Sequence, residues 1–310
     1  MRILINGLGS IGRKHVNAIR AVYPDAEIYA MRSGTATDCC QGVINLSEPC
    51  ELTSYNFDFA IISNPTSEHK KSIHHLLPLN IPLFIEKPLY HSLDTKDTVG
   101  HVLSKKIFTY IACNLRFLEC IRFLKENISG IMAKRINEIN VYCGSYLPEW
   151  RPNADFRKTY SAHEELGGGI HLDMIHEIDY LYWLFGLPEK VYRKFKRSSS
   201  LSISSIDYAN YLLDYGNFCA NVVLNYYRRD TRRFVEIVFE DETWYADLTV
   251  NKITCGDKVI FSSDQLMADT YIRQIQYFVE HIERKEETFN TITDAFNVLK
   301  IGLGDDDFKR

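Results

Sequence analysis

Residues 2–12 constrain the fold more tightly than any other stretch. Arg2-Ile3-Leu4-Ile5-Asn6 is a short apolar run of strand type, and Gly7-Leu8-Gly9-Ser10-Ile11-Gly12 follows at once, ahead of a helical run through Ala18 and Ile19. A G-x-G-x-x-G between strand and helix makes a turn whose helix N-terminus attracts an anion. Gly7 permits the tight turn, Gly9 lets a pyrophosphate approach the backbone, and Gly12 allows helix and strand to pack closely. In this setting the motif points to a dinucleotide. The other reading is a glycine-rich turn of some different α/β fold.

The rest of the first third supports an α/β sheet. Strand-type runs at 27–31, 57–63, 82–86 and 107–113 alternate with helical runs at 11–21, 67–77 and 92–104. Such alternation means βαβ units and a doubly wound parallel sheet. Near residue 118 the pattern changes. A strand-type run at 136–146 leads to a polar loop at 147–166, then a helix. Four strand-type runs follow at 207–215, 218–227, 233–240 and 243–250, then helical runs at 265–284 and 291–302. The pattern predicts a dinucleotide-binding domain over 1–117. It predicts an α+β domain with a mostly antiparallel sheet over 118–310. Ser198-Ser199-Ser200-Leu201-Ser202 reads as a flexible loop.

Two further segments carry chemistry. Pro82-Leu83-Phe84-Ile85-Glu86-Lys87-Pro88 ends a strand in Glu-Lys-Pro. Ligands of open α/β sheets bind beyond the carboxyl ends of strands, so Lys87 is delivered to the crevice, where it can exchange a proton with a reacting oxygen. A plain surface lysine is the alternative. Farther on, Gly167-Gly168-Gly169 opens a helix that is apolar almost all round, yet Asp173, His176 and Glu177 are spaced to share one face of it. Ionisable groups on a buried helix need partners. They are either a functional site or a polar network that fixes packing.

Bulk properties exclude some classes. The 310 residues are 45 % hydrophobic and 25 % charged, with a net charge of −4 and no basic stripe, so nucleic acid is not an expected partner. No apolar run reaches membrane-spanning length, and the start is too short and too soon interrupted for a secretory signal, so a cytoplasmic protein is expected. The eight cysteines form no Cys-x-x-Cys, and neither a metal site nor a disulfide framework is expected.

With these residues in place, the chain resembles the glucose–fructose oxidoreductase/inositol dehydrogenase (Gfo/Idh/MocA) family nearly end to end. Gly7 to Gly12, Glu86-Lys87-Pro88 and the Gly-Gly-Gly…Asp…His segment match its motifs in order. Asn64-Pro65-Thr66 with His69 resembles its loop over the cofactor. Cys113-Asn114-Leu115-Arg116-Phe117 resembles the segment that closes its Rossmann domain. The resemblance implies an NAD(P)-dependent oxidoreductase acting on sugars, polyols or their derivatives, with Lys87, Asp173 and His176 as the catalytic trio. It implies a cofactor site of Gly7, Gly9, Ser10, Ile11, Gly12, Arg32, Ser33, Asn64, Pro65, Thr66, His69, Glu86, Lys87 and Asn114. The chemistry agrees: His176 suits proton transfer near neutral pH, Lys87 can stabilise alkoxide charge, and Asp173 can hold a substrate hydroxyl or orient His176.

The commoner family spacing is Asp-x-x-x-His, whereas here His176 is three after Asp173 and Glu177 is four after it. The sequence leaves open which of the two meets the substrate. The Asp-x-x-His-Glu-x-Asp pattern resembles a branch with enzymes of bacterial surface-sugar pathways. His171 reads as a packing histidine. Upstream, Tyr146, Trp150, Arg151, Arg157, Tyr160 and Ser161 cluster before the helix. Sugars stack on aromatic faces and arginine binds carboxylate or phosphate, so a sugar carrying an acid or nucleotide group would fit, with Arg116, Trp150, Arg151, Tyr160 and Asp173 as substrate contacts.

Cofactor choice turns on the end of the second strand. An acid is expected there for NAD, but the chain has Arg32, followed by Ser33 and Thr35. A guanidinium can pair with a 2′-phosphate, so NADP is expected over NAD. Apolar alternation in the second domain's sheet predicts a homodimer or homotetramer. The competing functions are a cofactor-binding regulator or sensor without turnover, and another Rossmann enzyme such as a methyltransferase. The trio argues against the first and Glu86-Lys87-Pro88 against the second.

Overall fold

The computed structural model describes residues 1–32, 40–152 and 154–304. The chain divides into two compact units, Met1–Asn114 with Met267–Phe296, and Leu115–Leu266 with the C-terminal residues from Asn297.

The first unit is built on six parallel strands. Its elements are β1 (Arg2–Asn6), α1 (Ser10–Val22), β2 (Glu27–Met31), β3 (Val43–Leu46), β4 (Phe59–Ile62), α2 (His69–Leu76), β5 (Leu83–Glu86), α3 (Lys96–Ser104) and β6 (Thr109–Ala112). The order β3-β2-β1-β4-β5-β6 is that of the doubly wound dinucleotide-binding sheet. The chain leaves β1 toward β2 and β3, then returns to the other side of β1 with β4. That reversal opens a crevice at the carboxyl ends of β1 and β4. All residues of β4, β5 and β6 are buried, as expected for strands covered on both faces. Val43–Leu46 is a strand that the hydrophobic pattern did not predict: it is an edge strand of four residues with only Leu46 buried.

The second unit contains α4 (Glu119–Glu126), α5 (Ile128–Ala133), β7 (Ile136–Tyr146), α6 (Ile170–Asp173), α7 (His176–Phe185), β8 (Lys190–Lys196), β9 (Tyr208–Asp214), β10 (Cys219–Asn225), β11 (Tyr227–Phe239), β12 (Thr243–Asp247), β13 (Lys252–Cys255) and β14 (Lys258–Ser262). Their sheet has the order β14-β13-β12-β11-β7-β10-β9-β8. Every neighbouring pair is antiparallel except β7 and β10. The serine stretch expected to be flexible is anchored instead: the Ser199 amide donates to Asp207 Oδ2 at 2.9 Å, and Leu201 is buried.

Helix α8 (Met267–Arg284) follows, then α9 (Ile292–Leu303). The sequence pattern placed 265–284 in the second domain, but α8 belongs with the first unit. Its buried residues Thr270, Gln274, Ile275, Phe278 and Val279 form one helical stripe. Phe278 sits among the rings of Phe59, Phe84, Phe108 and Tyr110 at centroid distances of 5.2, 5.4, 5.8 and 6.0 Å. Among the described residues no helix is long and apolar enough to cross a membrane. Phe278→Ala is expected to cost about 3–5 kcal/mol in denaturant unfolding, as for other large-to-small core changes. A loss below about 1 kcal/mol would show that α8 does not seal this core.

Candidate active site

In the first unit the glycine turn lies where the strand order reverses. Gly7 has φ +103°, and a Cβ there would lie 2.5 Å from the Asn64 amide nitrogen at the end of β4. A Cβ at Gly12 would collide with the Gly7 carbonyl oxygen. Ser63 fastens the two strand ends, its amide donating to Asn6 O at 2.9 Å and its hydroxyl to Gly7 O at 2.8 Å. Gly9 differs. A Cβ there would meet nothing within 4 Å, and as the N-cap of α1 it provides no side-chain hydrogen bond to the helix. Open space over unsatisfied amides is what a pyrophosphate needs, so the residues present fit a dinucleotide. Gly9 and Ser10 are exposed at this turn, and Ile11 is half-buried. Arg32 follows β2 directly and is half-buried, whereas Ser33 lies outside the described residues.

Beside this turn the Glu86-Lys87-Pro88 segment leaves the carboxyl end of β5, with a cis Lys87–Pro88 peptide. Glu86 is buried. Its Oε1 lies 2.6 Å from His15 Nε2, and its Oε2 accepts the Lys87 amide at 3.2 Å. His69 opens α2, with Nδ1 3.1 Å from Leu89 O and Nε2 3.1 Å from Asn64 O. Burial lowers the pKa of this imidazole, and the two carbonyls oppose the shift in smaller measure. The neutral ring has one N–H, so it donates to one carbonyl and rests against the other. Asn64 Nδ2 donates to Ser72 Oγ at 2.7 Å. Pro65 is exposed and Thr66 buried. Asn114 is turned inward, its Nδ2 donating to Thr270 Oγ1 at 2.8 Å. The first unit thus gathers Gly7, Asn64, His69, Glu86 and Lys87 around one crevice, with Asn114 bound to α8.

In the second unit the single helix expected after Gly167-Gly168-Gly169 is broken in two. Met174 (φ −104°, ψ 35°) ends α6, and Ile175 caps α7. Asp173 therefore ends one helix and His176 begins the next, so they do not share a continuous helical face. Asp173 is 3 % exposed and accepts two phenolic hydrogen bonds: Tyr160 OH to Oδ1 at 2.8 Å and Tyr226 OH to Oδ2 at 2.6 Å. Burial, and then the Asp173 charge, push both phenol pKa values far up, so the phenols remain donors. Trp150 meets the Tyr226 ring edge-on at 5.3 Å and donates to Ser145 Oγ at 2.9 Å. Arg151 is exposed, with its guanidinium 5.6 Å from the Tyr160 ring centroid. Asp173, Tyr160, Trp150 and Arg151 are thus brought together. Tyr226, which joins them, was missed by sequence reasoning. The signal was two successive tyrosines interrupting strand alternation.

The remaining charges are committed elsewhere. Glu177 is 0 % exposed, and its Oε1 accepts Arg233 Nε at 2.6 Å. Arg116, expected on the substrate, is 1 % exposed and forms a two-point pair with Asp179 (Nε–Oδ2 2.9 Å, Nη2–Oδ1 2.8 Å), with Trp183 5.4 Å away. Its burial makes it a structural cation of this unit. His171 packs on Phe195, and burial pushes its pKa down to about 4. His176 is buried at the start of α7.

A parallel sheet of this order, with a glycine cradle at its switch point, defines a dinucleotide-binding fold. Residues 1–111 match the oxidoreductase family with the NAD-binding Rossmann fold, and residues 131–244 match the GFO/IDH/MocA C-terminal domain. The chain belongs to this family and is an oxidoreductase. It is 27 % identical over 324 aligned positions to the uncharacterized oxidoreductase YrbE of Bacillus subtilis, covering 96 % of this chain and 91 % of that protein. Its fold is similar to that of UDP-N-acetylglucosamine 3-dehydrogenase GnnA from Acidithiobacillus ferrooxidans (TM-score 0.78, 17 % identity, 98 % of this chain and 95 % of that one). A levoglucosan dehydrogenase in complex with NADH is also similar (TM-score 0.84, 15 % identity, 97 % and 95 %). So is myo-inositol 2-dehydrogenase from Lactobacillus plantarum (TM-score 0.79, 17 % identity, 97 % and 95 %).

Arg116→Ala leaves Asp179 as a buried charge without its guanidinium and is expected to destabilise the protein by about 3–5 kcal/mol. Calorimetry checks this; unchanged stability with weakened substrate binding would return Arg116 to the substrate site.

Proposed function

We propose that the chain transfers hydride between a nicotinamide and the secondary alcohol or ketone of a sugar, polyol or nucleotide-sugar derivative. The observation that carries this reading is the place of Lys87. It leaves the carboxyl end of β5, the neighbour of β4, in the sheet that holds the glycine turn, on the side where Asn64 follows β4. When bound, the nicotinamide supplies the hydride acceptor or donor. Lys87 stabilises negative charge on the substrate oxygen, and His176 takes or returns the hydroxyl proton. Asp173 is fixed by two phenols and, as a carboxylate, is an acceptor of the kind that binds a substrate hydroxyl. The commitment of Glu177 to Arg233 supports His176 as the proton-transfer group. The exposed Arg151 beside Tyr160 suits a substrate carrying phosphate or carboxylate. The sugar-type dehydrogenases among the similar structures support the substrate class.

Screening sugars and nucleotide sugars with NADP and NAD at the reduced-nicotinamide absorbance band tests the reaction. Lys87→Ala is expected to lower turnover by about 10²–10⁴, with the cofactor dissociation constant within roughly tenfold. His176→Asn is expected to cost more turnover than Glu177→Gln, whose main effect is on stability. Near-normal turnover of the lysine variant removes it from the mechanism, and the reverse ranking transfers the proton to Glu177.

Arg32 at the end of β2, where NAD-preferring domains carry an acid, supports NADP as the preferred cofactor. Titration is expected to show NADP binding tighter than NAD by about tenfold, near 1.4 kcal/mol. Arg32→Ala should erase most of that difference and leave NAD binding nearly unchanged. Equal affinities in the unmodified protein contradict the assignment.

A further inference from the structure

We propose that His15 and His69 are positioning residues that grip the Lys87 segment from both ends and tie it to the glycine turn. The proposal rests on the role given to Lys87 above, and its test separates the two.

His15 lies on the buried face of α1, three residues after Gly12, and is 0 % exposed. An apolar residue is the ordinary occupant of such a position, because a buried imidazole must recover the hydration it loses. Its ring stands edge-on to Phe84 at 5.0 Å and to Tyr271 at 5.9 Å. Nδ1 has no hydrogen-bond partner there, so the ring's polar contact is directed to Glu86 through Nε2. The other oxygen of that carboxylate accepts the amide of Lys87. One buried carboxylate thus joins the dinucleotide-binding helix to the peptide group that introduces the lysine.

His69 grips the opposite end. It touches Leu89 O, two residues beyond Lys87, through one nitrogen and Asn64 O through the other. The amide of the same Asn64 is where a Cβ on Gly7 would land. Residues Glu86 to Leu89 are therefore held between imidazoles from α1 and α2: His69 reaches the glycine turn through Asn64, and His15 stands three residues beyond Gly12 on the helix that the turn opens. Neither histidine needs to touch substrate for this. A group displaced by about 1 Å can lose about 10²-fold in rate, so a brace of this kind acts on turnover rather than on binding.

The test uses His15→Leu and His69→Leu, which keep bulk without the hydrogen bond, and His15→Gln and His69→Gln, which restore an amide donor. Four readouts are taken on the full chain: thermal unfolding, NADP affinity, kcat and KM with a substrate found by the screen, and the methylation rate of Lys87 by formaldehyde and cyanoborohydride, located by peptide mass spectrometry. His15→Leu is expected to bind NADP within about threefold of the unmodified protein, whereas His69→Leu, in the loop beside the cofactor, is read by its Lys87 methylation rate and by kcat at saturating NADP. Their kcat should fall by about 10- to 100-fold with KM little changed. The methylation rate of Lys87 should change while that of the exposed Lys190 does not, and the glutamine variants should restore most of both. A folded leucine variant with unchanged Lys87 methylation and unchanged kcat overturns the proposal. If the leucine variants do not fold, His15→Asn and His69→Asn, polar but too short to reach, carry the same expectation. If Lys87→Ala keeps its turnover, the catalytic reading fails, and the methylation rate still decides the brace on its own.

Discussion

The ends of β1 and β4 can approach only because position 7 bears no side chain. With a Cβ there 2.5 Å from the Asn64 amide, the two ends would have to separate at the point where the sheet reverses its order. Several features depend on that approach. It lets Ser63 fasten the Gly7 carbonyl, and it seats Gly12 against the same carbonyl so that α1 leaves at a close angle. It also puts Asn64 O within reach of His69. The hold of His69 on the Lys87 segment depends on the same approach. Sequence dictates local backbone freedom, that freedom sets strand spacing, and the spacing creates an anion cradle beside a lysine.

In the second unit the arrangement of the candidate residues rests on how three buried carboxylates are paired. Glu177 and Asp179 are each held by a guanidinium, from Arg233 and Arg116. Asp173 is held by neutral donors, Tyr160 from the loop before α6 and Tyr226 from the junction of β10 and β11. Hydrogen bonds to a charged group contribute about 1.5–3 kcal/mol each, enough for two phenols to hold the loop and the strand junction to one point. Removing either donor leaves a buried carboxylate less well solvated, so the cluster is organised as a unit.

Much of the first unit was legible because a parallel sheet writes itself as apolar runs separated by helical periods. The runs around β1, β4 and β5 are buried on both faces and show no polar alternation to confuse them. Edge strands were not legible. In β8, Lys190, Tyr192, Lys194 and Lys196 face outward, and the inward set of Val191, Arg193 and Phe195 includes an arginine, so the pattern reads as polar. The hairpin of β13 and β14 turns on Gly256-Asp257, a signal present in the chain but flanked by strands of only four and five residues. Helix α8 has a clear stripe, yet periodicity says only that a face is buried and not against which sheet. In each unit the motifs marked candidate residues, whereas the partners that hold Asp173 and the Lys87 segment lie far away in sequence. Tyr226 is 53 residues from Asp173, and His15 is 71 from Glu86. No local rule links such pairs. The pairing of Arg116 with Asp179, 63 residues apart, was hidden for the same reason.

Amide hydrogen exchange of the full chain, with and without saturating NADP, tests the cofactor cradle most directly because it needs no substrate. Protection is expected at the α1 N-terminus around residues 8–13 and in the adjoining segments 64–69 and 86–89. Unchanged exchange at the glycine turn, with NADP and with NAD alike, would contradict a dinucleotide site there.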